Sequence, residues 1–272
     1  MVIHNKFILV HMVKTGGTFL QIYFGKNIPG CKATGSGYRR HKPAKAVNGR
    51  SQFKFGVMRN PYSWYISWWA FQAVQRRPGN SLPALLVKDF SQSVRNLDAA
   101  RGIIKQTKSP LFIDFDILQR FDIGVMTYKV IEMFCDSNRI FNDPRFDGFQ
   151  SEHFLINTTI SMEHLRDELV QLFEAKVFEL SNEQKSMLYA TPRINVSEHD
   201  GFTQYYNDEA RKWVEHKERY LFKLFPDYKF EDLQVAETGE IGWPMARLLT
   251  KGRNHEAIGR FYDYVGSLRQ PC

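Results

Sequence analysis

Short, wholly apolar runs alternate along this chain with longer stretches in which apolar and polar positions mix. Phe7-Ile8-Leu9-Val10 is one such run, the pattern of a strand buried on both faces. A polar turn with two adjacent glycines follows, His11 to Thr18, and Phe19 to Phe24 then suits a helix. Phe53 to Met58 predicts a second strand. It is stopped at Arg59-Asn60-Pro61, because Pro61 lacks an N–H and disfavours a helical Asn60. Pro61 is compatible with the first turn of a new helix, so Tyr62 to Val74, bulky throughout, predicts a buried helix. Strands are also predicted at Val125–Val130 and Phe154–Ile160, and a helix over Ala84–Gln106. Ser161 is read as the N-cap of a helix to Ala175, and Asn207 as the cap of a helix over Asp208–Phe225. Strands interleaved with helices predict an α/β fold with a central, mainly parallel sheet flanked by helices.

The pattern shifts at Glu237 to Pro244, which reads as a linker. Ala257, Ile258, Phe261, Tyr262, Val265 and Leu268 beyond it make one amphipathic helix. The expected organisation is a main domain over residues 1–231 and a C-terminal extension over 232–272.

Composition narrows the functional classes. The chain has 272 residues, 43% of them hydrophobic, enough for one sizeable core. Its net charge of +8 favours anionic partners. No helix-turn-helix, zinc-finger or RNP-like pattern accompanies that charge, so no nucleic-acid partner is expected. The cysteines are odd in number and far apart (Cys31, Cys135 and Cys272), which argues against a disulfide framework and for a reducing compartment. No apolar run approaches the roughly 18 residues of a membrane span. A soluble, cytoplasmic protein is therefore expected. There is no HExxH and no carboxylate pair placed for Mg²⁺, so no metal site is expected.

The candidate chemistry lies in two segments, each following a predicted strand. In the first, Lys14-Thr15-Gly16-Gly17-Thr18 leads into a helix, whose N-terminal amides and partial positive charge favour an anion. The glycines let the backbone approach closely, Thr15 and Thr18 add hydroxyls, and Lys14 adds a full charge. This is not a Walker A loop: Lys14 precedes the glycines, and no GK[ST] follows them. In the second segment, Arg59 ends a strand and can grip a phosphate with paired donors, while Ser67 lies about two turns along the next helix on the same side.

His-x-x-Lys-Thr-Gly-Gly-Thr and Arg-Asn-Pro-Tyr with Ser at plus eight together resemble the PAPS-dependent sulfotransferases, transferring sulfuryl from 3′-phosphoadenosine 5′-phosphosulfate. The closest branch includes the heparan sulfate 2-O-sulfotransferases and bacterial relatives. Gln150 to Leu155, Asn195-Val196-Ser197 and Asp227 to Phe230 add looser likeness, so the resemblance runs from about Lys6 to Phe230. It implies a P-loop-like three-layer fold. It also implies that Lys14, Thr15, Gly16, Gly17 and Thr18 hold the 5′-phosphosulfate, that Arg59 and Ser67 hold the 3′-phosphate, and that PAP is the product. Lys14 would interact with the departing oxygen. The acceptor would be a hydroxyl or amine, with carbohydrates and small metabolites among the candidates.

The reaction needs a base that titrates near neutrality, which points to histidine. His41, between the two segments, is the first choice, and in the resembling branch a His in that interval is the base. His11, beside the loop, is the second. Glu152 and His153 are more remote candidates. Trp64, Trp68 and Trp69 read first as a helical core stripe, with a stacking platform for a sugar as the alternative. Two rival functions stay open: a P-loop-type small-molecule kinase, and a non-catalytic basic nucleic-acid-binding protein.

Overall fold

The computed structural model describes residues 1–35, 41–71, 87–99, 113–192, 194 and 201–231. The C-terminal extension at 232–272, Arg39 and Arg40 beside His41, the Asn195-Val196-Ser197 motif and the ends of the predicted helix over 84–106 lie outside the described residues.

Five strands form one sheet: β1 (Val2–Ile3), β2 (Phe7–Val10), β3 (Lys32–Ala33), β4 (Phe53–Met58) and β5 (Thr158–Ser161), in the order β3-β1-β2-β4-β5. β2, β4 and β5 are parallel, with Val10 opposite Gly56 and Met58 opposite Ser161. The short β1 and β3 extend this centre antiparallel. The apolar runs are continuous because both faces are covered. Phe7 and Leu9 of β2 join Phe55 and Val57 of β4 on one face, under α1 (Gly17–Asn27) and α7 (Leu165–Lys176). Ile8, Val10 and Met58 face the other way, into a core shared with α2 (Pro61–Trp69) and α5 (Val125–Phe134). Gly56 admits α5 closely: a Cβ there would lie 2.5 Å from the Phe134 ring.

Around this core stand α3 (Phe90–Ala99), α4 (Phe115–Phe121), α6 (Ser137–Asn142), α8 (Asn182–Ala190), α9 (Asp208–Lys217) and α10 (Arg219–Leu224). Asn207 caps α9 as expected, accepting from Ala210 N at 2.8 Å, but the predicted helix over 208–225 is interrupted at Glu218.

Three expectations are corrected. Val125–Val130 is not a strand but the start of α5, because a short apolar run carries no period and the buried Glu218 carboxylate caps its first amides. Ser161 does not cap a helix. It ends β5, and its hydroxyl accepts from Glu163 N at 3.1 Å, so the turn runs on to Leu165. Of the predicted strand Phe154–Ile160, only Thr158 onward enters the sheet. Among the described residues, no helix is long and apolar enough to cross a membrane, and no group of His, Cys, Asp and Glu is arranged to hold a metal ion.

Candidate functional site

The three parallel strands end at one edge of the sheet, where ligands of open α/β sheets bind. Val10 leads into the His11–Gly16 turn, Met58 into Arg59 and Asn60, and Ser161 into Met162 and Glu163.

The turn after β2 is built on two left-handed residues, Lys14 at φ 61° and Gly16 at φ 72°. For a lysine that conformation costs about 1–2 kcal/mol, so neighbouring contacts must hold it. Four successive carbonyls are taken by side chains. His41 Nδ1 meets His11 O at 3.0 Å, Thr15 Oγ1 donates to Met12 O at 3.0 Å, Trp64 Nε1 to Val13 O at 2.9 Å, and Arg59 Nη1 to Lys14 O at 3.2 Å. In a trans peptide the next residue's N–H points opposite to the carbonyl. The amides of Met12 to Thr15 therefore turn away from those donors. The first bond of α1 is Leu20 N to Gly16 O at 3.2 Å, so the Gly17, Thr18 and Phe19 amides precede it. Oriented amides at a helix start are suited to an anion.

The glycines are needed for reasons beyond access to a ligand. A Cβ on Gly16 would stand 2.6 Å from Met162 Sδ, and one on Gly17 would stand 1.8 Å from His11 Cδ2. His11, 4% exposed, thus packs its ring flat on the α1 backbone. Gly17→Ala must push that ring away and is expected to cost roughly 1–3 kcal/mol; an unchanged urea midpoint would refute this packing.

His41 packs against His11 with its ring tilted by 49° and the ring centroids 4.3 Å apart. A carbonyl oxygen only accepts, so His41 Nδ1 carries the proton and the neutral ring presents Nε2 as its acceptor. Both histidine candidates thus gather at the start of α1. Glu152 and His153 do not join them. His153 Nδ1 accepts from Gln150 N at 3.1 Å and closes its own short turn, and Glu152 is exposed.

Arg59 lies between the loop and α2. Its Nε donates to Ser63 Oγ at 2.9 Å, while its Nη1 reaches the Lys14 carbonyl. Arg59, Ser63 and Ser67 follow one face at four-residue intervals. Arg59 meets Ser63, and Ser67, 3% exposed, is buried a turn further on. Glu163, arriving from β5, accepts from Asn60 N at 3.0 Å and lies 3.4 Å from Ser63 Oγ. Asn60 Nδ2 donates to Lys229 O at 3.0 Å, which ties the Asp227–Phe230 segment to this corner. Tyr228 packs beside Ser161 and Glu163; burial first, and then the Glu163 charge, pushes its phenol well up and keeps it protonated. The Lys14 ammonium stands 4.5 Å from the centre of the Phe71 ring, and the Arg59 guanidinium 5.6 Å from that of Phe202.

Ser63 and Glu163 were not among the sequence candidates, and Trp64 was considered only as core or as a sugar platform, not as a partner of the loop. Only Ser63, four residues after Arg59, had a signal in its spacing. The tryptophans take the core role and not the sugar-platform alternative: Trp64, Trp68 and Trp69 are 0%, 1% and 3% exposed, and Trp64 and Trp68 stack on each other in the core, 5.5 Å apart. No protein-family model, curated protein or solved structure matches this chain.

Proposed function

We propose that the protein is a sulfotransferase using PAPS, with a P-loop-like arrangement of loop and sheet. One observation carries the reading: Lys14 and Arg59, singled out by two separate sequence motifs, meet at one sheet edge through the 3.2 Å bond from Arg59 Nη1 to the Lys14 carbonyl. The bound nucleotide would supply a sulfuryl group activated by its phosphate. The amides at the start of α1, with Thr18 beside them, suit the 5′ end, while the Thr15 hydroxyl, spent on Met12 O, shapes the turn, and the Lys14 ammonium stabilises charge on the departing oxygen. The guanidinium of Arg59, set by Ser63, suits the 3′-phosphate. Ser67 enters this site only if its end of α2 opens to the ligand. His41 Nε2 takes the acceptor's proton, while His11 holds the imidazole by its ring and its carbonyl oxygen.

Isothermal titration with PAP tests the reading. Saturable binding is expected, weakened at least about tenfold by Lys14→Ala and by Arg59→Ala, as for loss of a charged hydrogen bond. No heat at millimolar PAP would remove the function, and unchanged affinity in both variants would remove the site. ATP turnover that depends on Mg²⁺ would favour the kinase instead.

A further inference from the structure

We infer that Trp64 is a positioning residue for the phosphate loop, holding the His11–Gly16 turn in its anion-ready shape without touching the ligand. Its indole is fully buried, yet its one polar atom leaves the core, donating to Val13 O at 2.9 Å. That carbonyl belongs to the peptide whose N–H is Lys14's, so the bond fixes the amide of the left-handed residue itself. Arg59, two residues before the start of α2, grips the next carbonyl. α2 and the Arg59-Asn60 segment that leads into it therefore clamp two consecutive peptides, one through a group facing the candidate site and one through a group sealed in the core. The seal is Trp68, stacked at 11° on Trp64 and making no hydrogen bond to the loop. The two tryptophans are alike in burial and differ in this one bond, so each is the other's control.

The affinity part rests on the nucleotide reading; the loop part does not. Trp64→Phe and Trp68→Phe are compared in the full chain. Both remove similar buried volume, and both are expected to lower the Tm. Only Trp64→Phe is expected to raise Kd, by about five- to tenfold, the weight of one buried hydrogen bond. It should do so equally for PAP and for 5′-AMP, because the loop serves the 5′ end and discrimination for the 3′-phosphate stays with Arg59. In ligand-free protein, the amides of residues 11–18 should exchange with deuterium faster in Trp64→Phe than in Trp68→Phe. If Trp64→Phe does not fold, benzothienyl-alanine at position 64, isosteric but lacking the N–H, makes the same comparison. If wild type binds no PAP, the proposed function falls and the exchange experiment still decides the clamp. Matching exchange and matching Kd in the two variants would overturn it, as would a loss confined to PAP.

Discussion

Turnover by His41→Ala is expected to fall about 10²–10⁴-fold, the usual contribution of a positioned general base, while PAP affinity stays close to wild type. The split follows from the geometry. His41 is bound to the protein through Nδ1, which donates to the His11 carbonyl, and through its ring, whose centroid lies 4.3 Å from that of His11. With Nδ1 donating, Nε2 is the ring nitrogen of the neutral imidazole that can accept a proton. The carbonyl that His41 holds, that of His11, lies ahead of the left-handed residues Lys14 and Gly16, and His41 is not in the proposed phosphate-holding set of Lys14, Arg59 and the α1 amides, so its loss should leave the nucleotide in place. PAP release from PAPS, followed against a panel of hydroxylated acceptors, gives the rate; titration with PAP gives the affinity. Equal loss of both would make His41 a structural support of the loop. Unchanged turnover would move the base elsewhere, with His11 the nearest alternative.

The legible parts of this protein are those decided within a few residues. Phe7–Val10 and Phe53–Met58 emerge as strands with their expected limits, because an apolar run with both faces buried has few other uses. Pro61 opens α2 as expected, because its missing N–H is harmless there. Less legible is whatever depends on residues far apart in the chain. Val125–Val130 has the composition of a strand, and what makes it helical is a carboxylate 91 and 92 residues away that takes its first amides. Trp64 carries a signal of burial but none of its bond to Val13, 51 residues back. Glu163 reaches Asn60 across 103 residues. Of the candidate site, what was legible is that the Lys14 and Arg59 segments each follow a strand, while the contacts that join them, through Ser63, Glu163 and the Trp64 indole, came only from the packing.

Glu218→Gln is expected to destabilise the fold by about 2–4 kcal/mol at neutral pH, the cost of leaving buried donors without an acceptor. Glu218 is fully buried between α9 and α10, and its carboxylate meets only donors. Oε1 accepts from Tyr65 OH at 2.5 Å and Met126 N at 3.1 Å, and Oε2 from Thr127 N at 2.8 Å and Thr127 Oγ1 at 2.5 Å. Gly124 is bare because a Cβ there would fall 1.9 Å from Oε1. A glutamine offers one oxygen and one NH₂, so one pair of donors would face another donor and lose its partner. Burial raises the Glu218 carboxyl above its ordinary 4.5, against four donors that hold it down. The folded state then binds this proton more tightly than the unfolded chain. The group's contribution to stability is full below the unfolded value near 4.5 and declines as pH rises through the higher folded value. Glutamine carries no such proton, so the advantage of wild type over Glu218→Gln should be larger at pH 5 than at pH 7. Urea denaturation of both proteins at the two pH values measures it, other titrating groups cancelling in the difference. A variant as stable as wild type at pH 7 would show that Glu218 does not cap α5 in this way, and a gap that widens with pH would show that its four donors outweigh its burial.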